Sequence, residues 1–101
     1  MQDFKTFKEF YPYYLSEHQN PICRGLHFLG TLDVLICIII SFQNIIYLFL
    51  APICGYSFAW IGHFFFEKNK PATFKYPVYS FLGDWIMFKD ILIGKESITK
   101  P

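Results

Sequence analysis

Two long apolar stretches dominate the chain. From Leu26 to Phe42 it reads LHFLGTLDVLICIIISF, with one acid and no base, and from Ile45 to Phe66 it reads IIYLFLAPICGYSFAWIGHFFF, with no Asp, Glu, Lys or Arg. As helices rising 1.5 Å per residue they reach about 25 Å and about 33 Å, which brackets the roughly 30 Å hydrocarbon core of a bilayer. Only Gln43 and Asn44 separate them. So short a polar link predicts an antiparallel helical hairpin whose two open ends lie on the same side.

The flanks carry weaker patterns. Phe4, Phe7, Phe10, Tyr11 and Tyr14 recur at three- and four-residue steps with Lys5, Lys8 and Glu9 between them, interrupted at Pro12. That spacing predicts an N-terminal amphipathic helix lying in the membrane interface, broken at the proline. After the hairpin, KNKPATFKYP is a polar loop, and residues 78–93 (VYSFLGDWIMFKDILI) form an apolar helix interrupted by Asp84, Lys89 and Asp90. This last helix is expected to lie in the interface or pack on the hairpin. The predicted architecture is therefore all-α: one membrane-embedded domain over residues 1–101, an integral membrane hairpin with one associated helix on either side.

Composition supports lipid contact. Of 101 residues, 53% are hydrophobic, 22% aromatic and only 17% charged, against about a quarter charged in soluble domains. A chain this short cannot cover so much apolar surface with itself, so membrane lipid or a second copy in a homodimer is expected to do so. Asp33, inside the first span, then needs a partner such as Thr31, Ser41 or a second subunit. A soluble helical oligomer is the rival architecture. The net charge of +1, with no basic stripe, argues against a nucleic-acid partner. Cys23, Cys37 and Cys54 show no C-x-x-C spacing and read as reduced, structural residues. The first 25 residues lack the pattern of a signal peptide, so the first span is expected to persist in the mature protein. Arg24, Lys68, Lys70 and Lys75 flank the open ends while the turn carries no positive charge. Both termini are thus expected on the cytoplasmic face.

The same end of the hairpin holds the residues capable of chemistry. His27 lies 16.5 residues before the turn centre and His63 lies 19.5 after it, an offset of three residues or about 4.5 Å along the axis. Both rings should sit at one depth, and His18, nine residues before His27 in a segment broken by Pro21, can fold back over them. Three imidazoles would leave open positions on a metal for oxygen or substrate. The plainer reading is three interfacial histidines satisfied by water. Glu67, four residues after His63, can bind metal or orient a ligating ring, and Asp84 is the next candidate for that supporting role. Arg24 is either a snorkelling anchor or a fork for a substrate carboxylate. Tyr11, Tyr13, Tyr14, Trp60 and Trp85 read as an interfacial aromatic belt rather than a ligand box. No nucleophile elbow, phosphate-binding glycine loop or H-E-x-x-H motif is present.

Two stretches, HQNPICRGLHFLG from His18 to Gly30 and AWIGHFFFEKNKPA from Ala59 to Ala72, followed by SFLGD at residues 80–84, form a distinctive paired pattern. The pattern resembles a family of small membrane 2-hydroxy-fatty-acid dioxygenases, once catalogued as a domain of unknown function, whose characterised member is the yeast endoplasmic-reticulum enzyme of phytosphingosine breakdown. The resemblance implies an Fe(II)-dependent oxidoreductase that shortens a 2-hydroxy fatty acid by one carbon using dioxygen. It implies His18, His27 and His63 as iron ligands, with Glu67 and Asp84 supporting catalysis. A 2-hydroxy acid can chelate iron through its hydroxyl and carboxylate oxygens while its acyl tail lies in the bilayer. The competing readings are another metal-dependent lipid enzyme, a hydrolase or a desaturase, and a non-enzymatic membrane hairpin. Three histidines are too few for the di-iron centre of a membrane desaturase.

Overall fold

The structure, a computed structural model, describes residues 4–100. All of its regular structure is helical among the described residues: α1 Phe7–Ser16, α2 Pro21–Ile40, α3 Ile46–Ile61 and α4 Pro77–Leu92. A π-helical stretch, Gly62–Glu67, prolongs α3, and a single 3-10 turn, Ala72–Phe74, precedes α4. Helix α2 starts where the sequence supplies both start signals. Asn20 caps it, its side-chain oxygen accepting from Ile22 N at 2.9 Å and Cys23 N at 3.3 Å, and Pro21 fills the first helical position.

The hairpin forms as expected, with residues 41–45 as the turn between α2 and α3. Small residues let its two helices approach closely. A Cβ on Gly30 would stand 2.9 Å from Phe58 Cβ and 3.3 Å from Gly55 O, the kind of contact that joins apolar helices when lipid offers no hydrophobic drive. Asp33 finds its partner across the hairpin in the Cys54 thiol rather than in Thr31 or Ser41. At 20 and 22 residues, α2 and the rod Ile46–Glu67 are long and apolar enough to cross a membrane. Their outer surfaces suit lipid: Ile39, Ile46, Phe49 and Ile53 are each more than half exposed.

The flanks differ from expectation in two respects. Helix α1 runs through Pro12 unbroken, at the loss of the helical hydrogen bond that an N–H at residue 12 would make to Lys8 O. Its aromatic face also packs inward. Phe10 and Tyr14 are fully buried with Ala72 and Met87, and Phe4, Phe7, Tyr76 and Tyr79 close around them. So α1 docks on α4, and most of the tyrosines expected in an interfacial belt form a core instead. Helix α4 in turn lies on α2, where Phe28 and Phe88 stack at 4.7 Å.

The α1–α4 approach depends on Gly83, whose added Cβ would stand 2.8 Å from the Tyr14 ring. Tyr14 is walled in on all sides and cannot yield cheaply. Gly83→Ala is therefore expected to destabilise the protein by about 1–3 kcal/mol, as overpacking does. Gly25→Ala, where a Cβ inside α2 meets only Ile98 at an ordinary 3.5 Å, should leave stability unchanged or raise it by up to about 1 kcal/mol. Thermal unfolding in detergent checks the pair.

Candidate metal centre

Each histidine arrives on a different support. His18 follows the end of α1 and precedes the Asn20 cap, His27 sits in the second turn of α2, and His63 lies in the π-helical stretch. A π-helical segment is a costly local geometry and tends to mark a functional position. Here it delivers His63 to the interior and ends at Lys68, whose left-handed backbone (φ 61°, ψ 42°) folds the chain back. As a result Asn69 N donates to His63 O at 3.1 Å while the Asn69 side chain reaches the His63 ring.

All three rings are buried, at 1%, 5% and 1% exposure for His18, His27 and His63. His18 Nε2 stands 3.1 Å from His27 Nε2 and 3.0 Å from His63 Nε2. The outer nitrogens settle which atoms carry protons. His18 Nδ1 is 2.6 Å from Tyr14 O and His27 Nδ1 is 2.9 Å from Cys23 O. A carbonyl can only accept, so both Nδ1 atoms donate. His63 Nδ1 is 2.6 Å from Asn69 Oδ1, whose amide nitrogen is committed to Glu17 O at 3.1 Å, so it donates as well. Every Nε2 then presents a lone pair toward the others, without a proton between them. Burial, reinforced by the neighbouring imidazoles, holds His18 well below the usual range and keeps it neutral.

Three buried lone pairs facing one another repel unless a cation lies between them, and carbonyl-anchored imidazoles are the arrangement that metal-binding histidines adopt. The spacing fits as well. Two nitrogens about 2.1 Å from one ion and at right angles to each other are about 3.0 Å apart. The donor set therefore suits a metal ion, which His18, His27 and His63 could hold together.

The neighbours of this triad define the rest of the centre. Tyr14 stacks on the His18 ring at 4.1 Å and donates its hydroxyl to Asp84 Oδ1 in a short hydrogen bond. Burial pushes the Asp84 carboxyl up to about 7, although the Tyr14 hydrogen bond pulls it down. Ser80, one turn before Asp84 on α4, is 2% exposed, and its hydroxyl has no partner among the described residues. Both line a small cavity of about 10 Å³ that also touches the three histidines, enough for roughly one water-sized group. Asp84 and His27 also head a larger apolar cavity of about 250 Å³.

Glu67 supports the site through the backbone. Its carboxylate accepts from Gln19 N at 2.5 Å and Asn20 N at 2.6 Å, tying the His18 segment to the π-helical end of α3. It stands outside the cluster of candidate ligand atoms. Glu67→Gln leaves one oxygen for two donors and is expected to weaken metal affinity about 10–100-fold with the helices intact. Metal titration against a chelator measures it.

Arg24 is buried at 1% exposure rather than snorkelling, and it lines neither cavity. Its Nε donates to His18 O at 3.0 Å, and its Nη1 donates to Glu96 Oε1 at 2.9 Å and Ser97 O at 3.0 Å. The fork expected to hold a substrate carboxylate is occupied by a carboxylate of this chain. A buried guanidinium stays charged and needs such a counter-ion. Sequence reasoning missed Tyr14, Asn69 and Ser80. Asn69 and Ser80 lay inside the quoted motif stretches without being given a role, and Tyr14 left a positional signal, since residue i−4 of a histidine at a helix end supplies the carbonyl its Nδ1 reaches.

The family model for 2-hydroxy-palmitic acid dioxygenase Mpo1-like proteins matches residues 4–96, nearly the whole chain and every residue of the site. The chain belongs to this Mpo1-like family. Searches of curated proteins and of solved structures give no match. The Mpo1-like match accords with the paired histidine pattern in the sequence, and the geometry brings the three histidines of that pattern to one point.

Proposed function

We propose that this chain is an Fe(II)-dependent dioxygenase carrying out alpha-oxidation of 2-hydroxy fatty acids. The observation that carries the reading is the convergence of three buried, unprotonated Nε2 atoms beside an apolar cavity that His27 lines, in a chain of the Mpo1-like family. The overall reaction converts a 2-hydroxy acid and dioxygen into carbon dioxide, water and the acid one carbon shorter. The C1–C2 bond breaks, the two carbons together give up four electrons, and dioxygen takes all four, so no outside reductant is needed. A bound ferrous ion would supply a place for the hydroxy-carboxylate head and dioxygen to meet, and would bring dioxygen into electron transfer.

The chain's own residues perform the remaining tasks. Three neutral histidines fill one side of the ion, leaving positions for a chelating head group and dioxygen. The Asp84 carboxyl, with its pKa near neutrality, takes the proton of the substrate hydroxyl, and Tyr14 orients it. The unpartnered Ser80 hydroxyl donates to a head-group oxygen. Glu67 and Arg24 act at one remove, holding the His18 segment from its N–H side and its carbonyl side.

In this reading residues 1–101 work as one membrane-embedded catalytic domain. The exposed apolar belt of the hairpin suits lipid, and the lysines beside its open end support a cytoplasmic position for both termini and the site. Association into a homodimer would cover part of the same belt.

The test is metal analysis of anaerobically purified protein followed by oxygen uptake with 2-hydroxypalmitic acid. Stoichiometric iron, with one dioxygen consumed for each shortened acid formed, is the expected result. A metal-free protein, or iron-loaded protein that leaves the acid intact, overturns the reading.

A further inference from the structure

The larger cavity has a direction. On α2 its wall runs from His27 through Thr31 and Val34 to Ile38, and on α3 it runs antiparallel from Ala59 to Leu48. Both walls are twelve residues long, eleven steps of 1.5 Å or about 16 Å from end to end, roughly half the thickness of a bilayer's hydrocarbon core. The polar lining residues His27, Asp84, Thr31 and Tyr56 all lie in the half of the trough nearer the metal centre. The other end, at Ile38 and Leu48 beside the hairpin turn, is wholly apolar. On α3 the floor is made of Ala51, Gly55 and Ala59, spaced four apart so that one helix face carries no bulk.

We propose that this trough is an acyl-chain ruler: the tail of the substrate lies along α2 and α3 with its methyl end at Ile38 and Leu48, and these two residues with Val34 set the preferred chain length. The inference rests on the proposed lipid chemistry of the metal centre, and it commits the trough to the tail of the molecule whose head the histidines receive. A saturated chain takes nothing specific from such walls beyond shape. Bilayer and trough are equally apolar, so moving a tail between them gains little, and length discrimination must come from where the trough stops. A tail longer than the trough has to bend or back its head away from His27. A shorter one leaves a void at the far end, with lost contacts.

Three variants read the ruler at different marks. Leu48→Ala removes bulk from an exposed position at the far end, cannot overpack, and is expected to move the preferred acid to a longer one. Ile38→Trp shortens the trough at the same end, and Val34→Phe shortens it nearer the middle. Both should move the preferred acid to shorter ones, Val34→Phe by more, with about tenfold loss for the longest acid relative to the shortest, the scale on which apolar pockets discriminate. The measurements are kcat/KM in lipid nanodiscs for saturated 2-hydroxy acids from 2-hydroxyoctanoic to 2-hydroxystearic acid, and displacement of a fluorescent fatty acid from the metal-free protein by the same series. Circular dichroism and bound iron confirm that each variant is folded and loaded.

Shifts in the order given, seen in both measurements, support the ruler. Turnover with an unchanged length profile in all three variants overturns it while leaving the dioxygenase reading intact. A length cut-off in the displacement series that moves with the variants, in a protein that never turns over a hydroxy acid, keeps the trough as an acyl site and overturns the dioxygenase reading instead.

Discussion

Replacing His18, His27 or His63 by alanine, one at a time, is expected to abolish bound metal and turnover in each case while the helices persist. A change behind a ligand costs about 10–100-fold in affinity, and loss of one of three ligands must cost more. The helices persist because each ring is held from behind by local contacts alone, to Tyr14 O, to Cys23 O and Sγ, or to Asn69 Oδ1. In the alanine variants two lone pairs remain in place of three, which relieves repulsion in the metal-free protein. That relief offsets part of the cost of the cavity and the unpaired acceptor each truncation leaves, so stability is compared with and without metal within each variant. Added ferrous ion should raise the parent's unfolding temperature and leave the variants unmoved, because a ligand that binds only the folded state stabilises it. Normal iron content in any one variant would remove that residue from the ligand set. Anaerobic metal analysis and thermal unfolding, run side by side on all four proteins, give both readouts.

Much of this centre was legible in the chain because its geometry follows from counting. A hairpin with a minimal turn equates residues equidistant from that turn, so the near-match of His27 and His63 in depth needed only their positions and the helical rise. The place of His18 followed less directly, from a proline that ends any continuous path between it and His27. What stayed hidden depends on packing between segments distant in sequence. The π-helical stretch at Gly62–Glu67 has no sequence signature of its own, and it accounts for Asn69 rather than Glu67 reaching the His63 ring. The Arg24–Glu96 pair spans 72 residues, beyond any periodicity. The aromatic face of α1 was plain in the sequence, but two covers suit such a face equally well, lipid and another helix, and Gly83 on α4 decided for the helix. The same docking brings Tyr14 to Asp84.

Asp84→Asn is expected to lower turnover by about 10²–10⁴-fold, the usual contribution of a placed general acid or base, with iron content unchanged. The substitution keeps size and shape, and an asparagine oxygen still accepts from the Tyr14 hydroxyl, so α1 stays docked on α4. Only the ability to take a proton is removed. Tyr14→Phe makes the opposite deletion, keeping the carboxylate but removing the donor that orients it. Its effect should be smaller, about tenfold, and reflected in kcat more than in KM, since a carboxylate left to rotate is still basic. Because Tyr14 also supplies the carbonyl that anchors His18, and phenylalanine keeps that carbonyl, metal affinity should survive in both variants. The contrast separates three roles for Asp84. Lost iron in Asp84→Asn would make it a ligand. Full turnover with full iron would make it a mere hydrogen-bond acceptor for Tyr14. Retained iron with turnover down by orders of magnitude, beside a mild Tyr14→Phe, assigns it the proton.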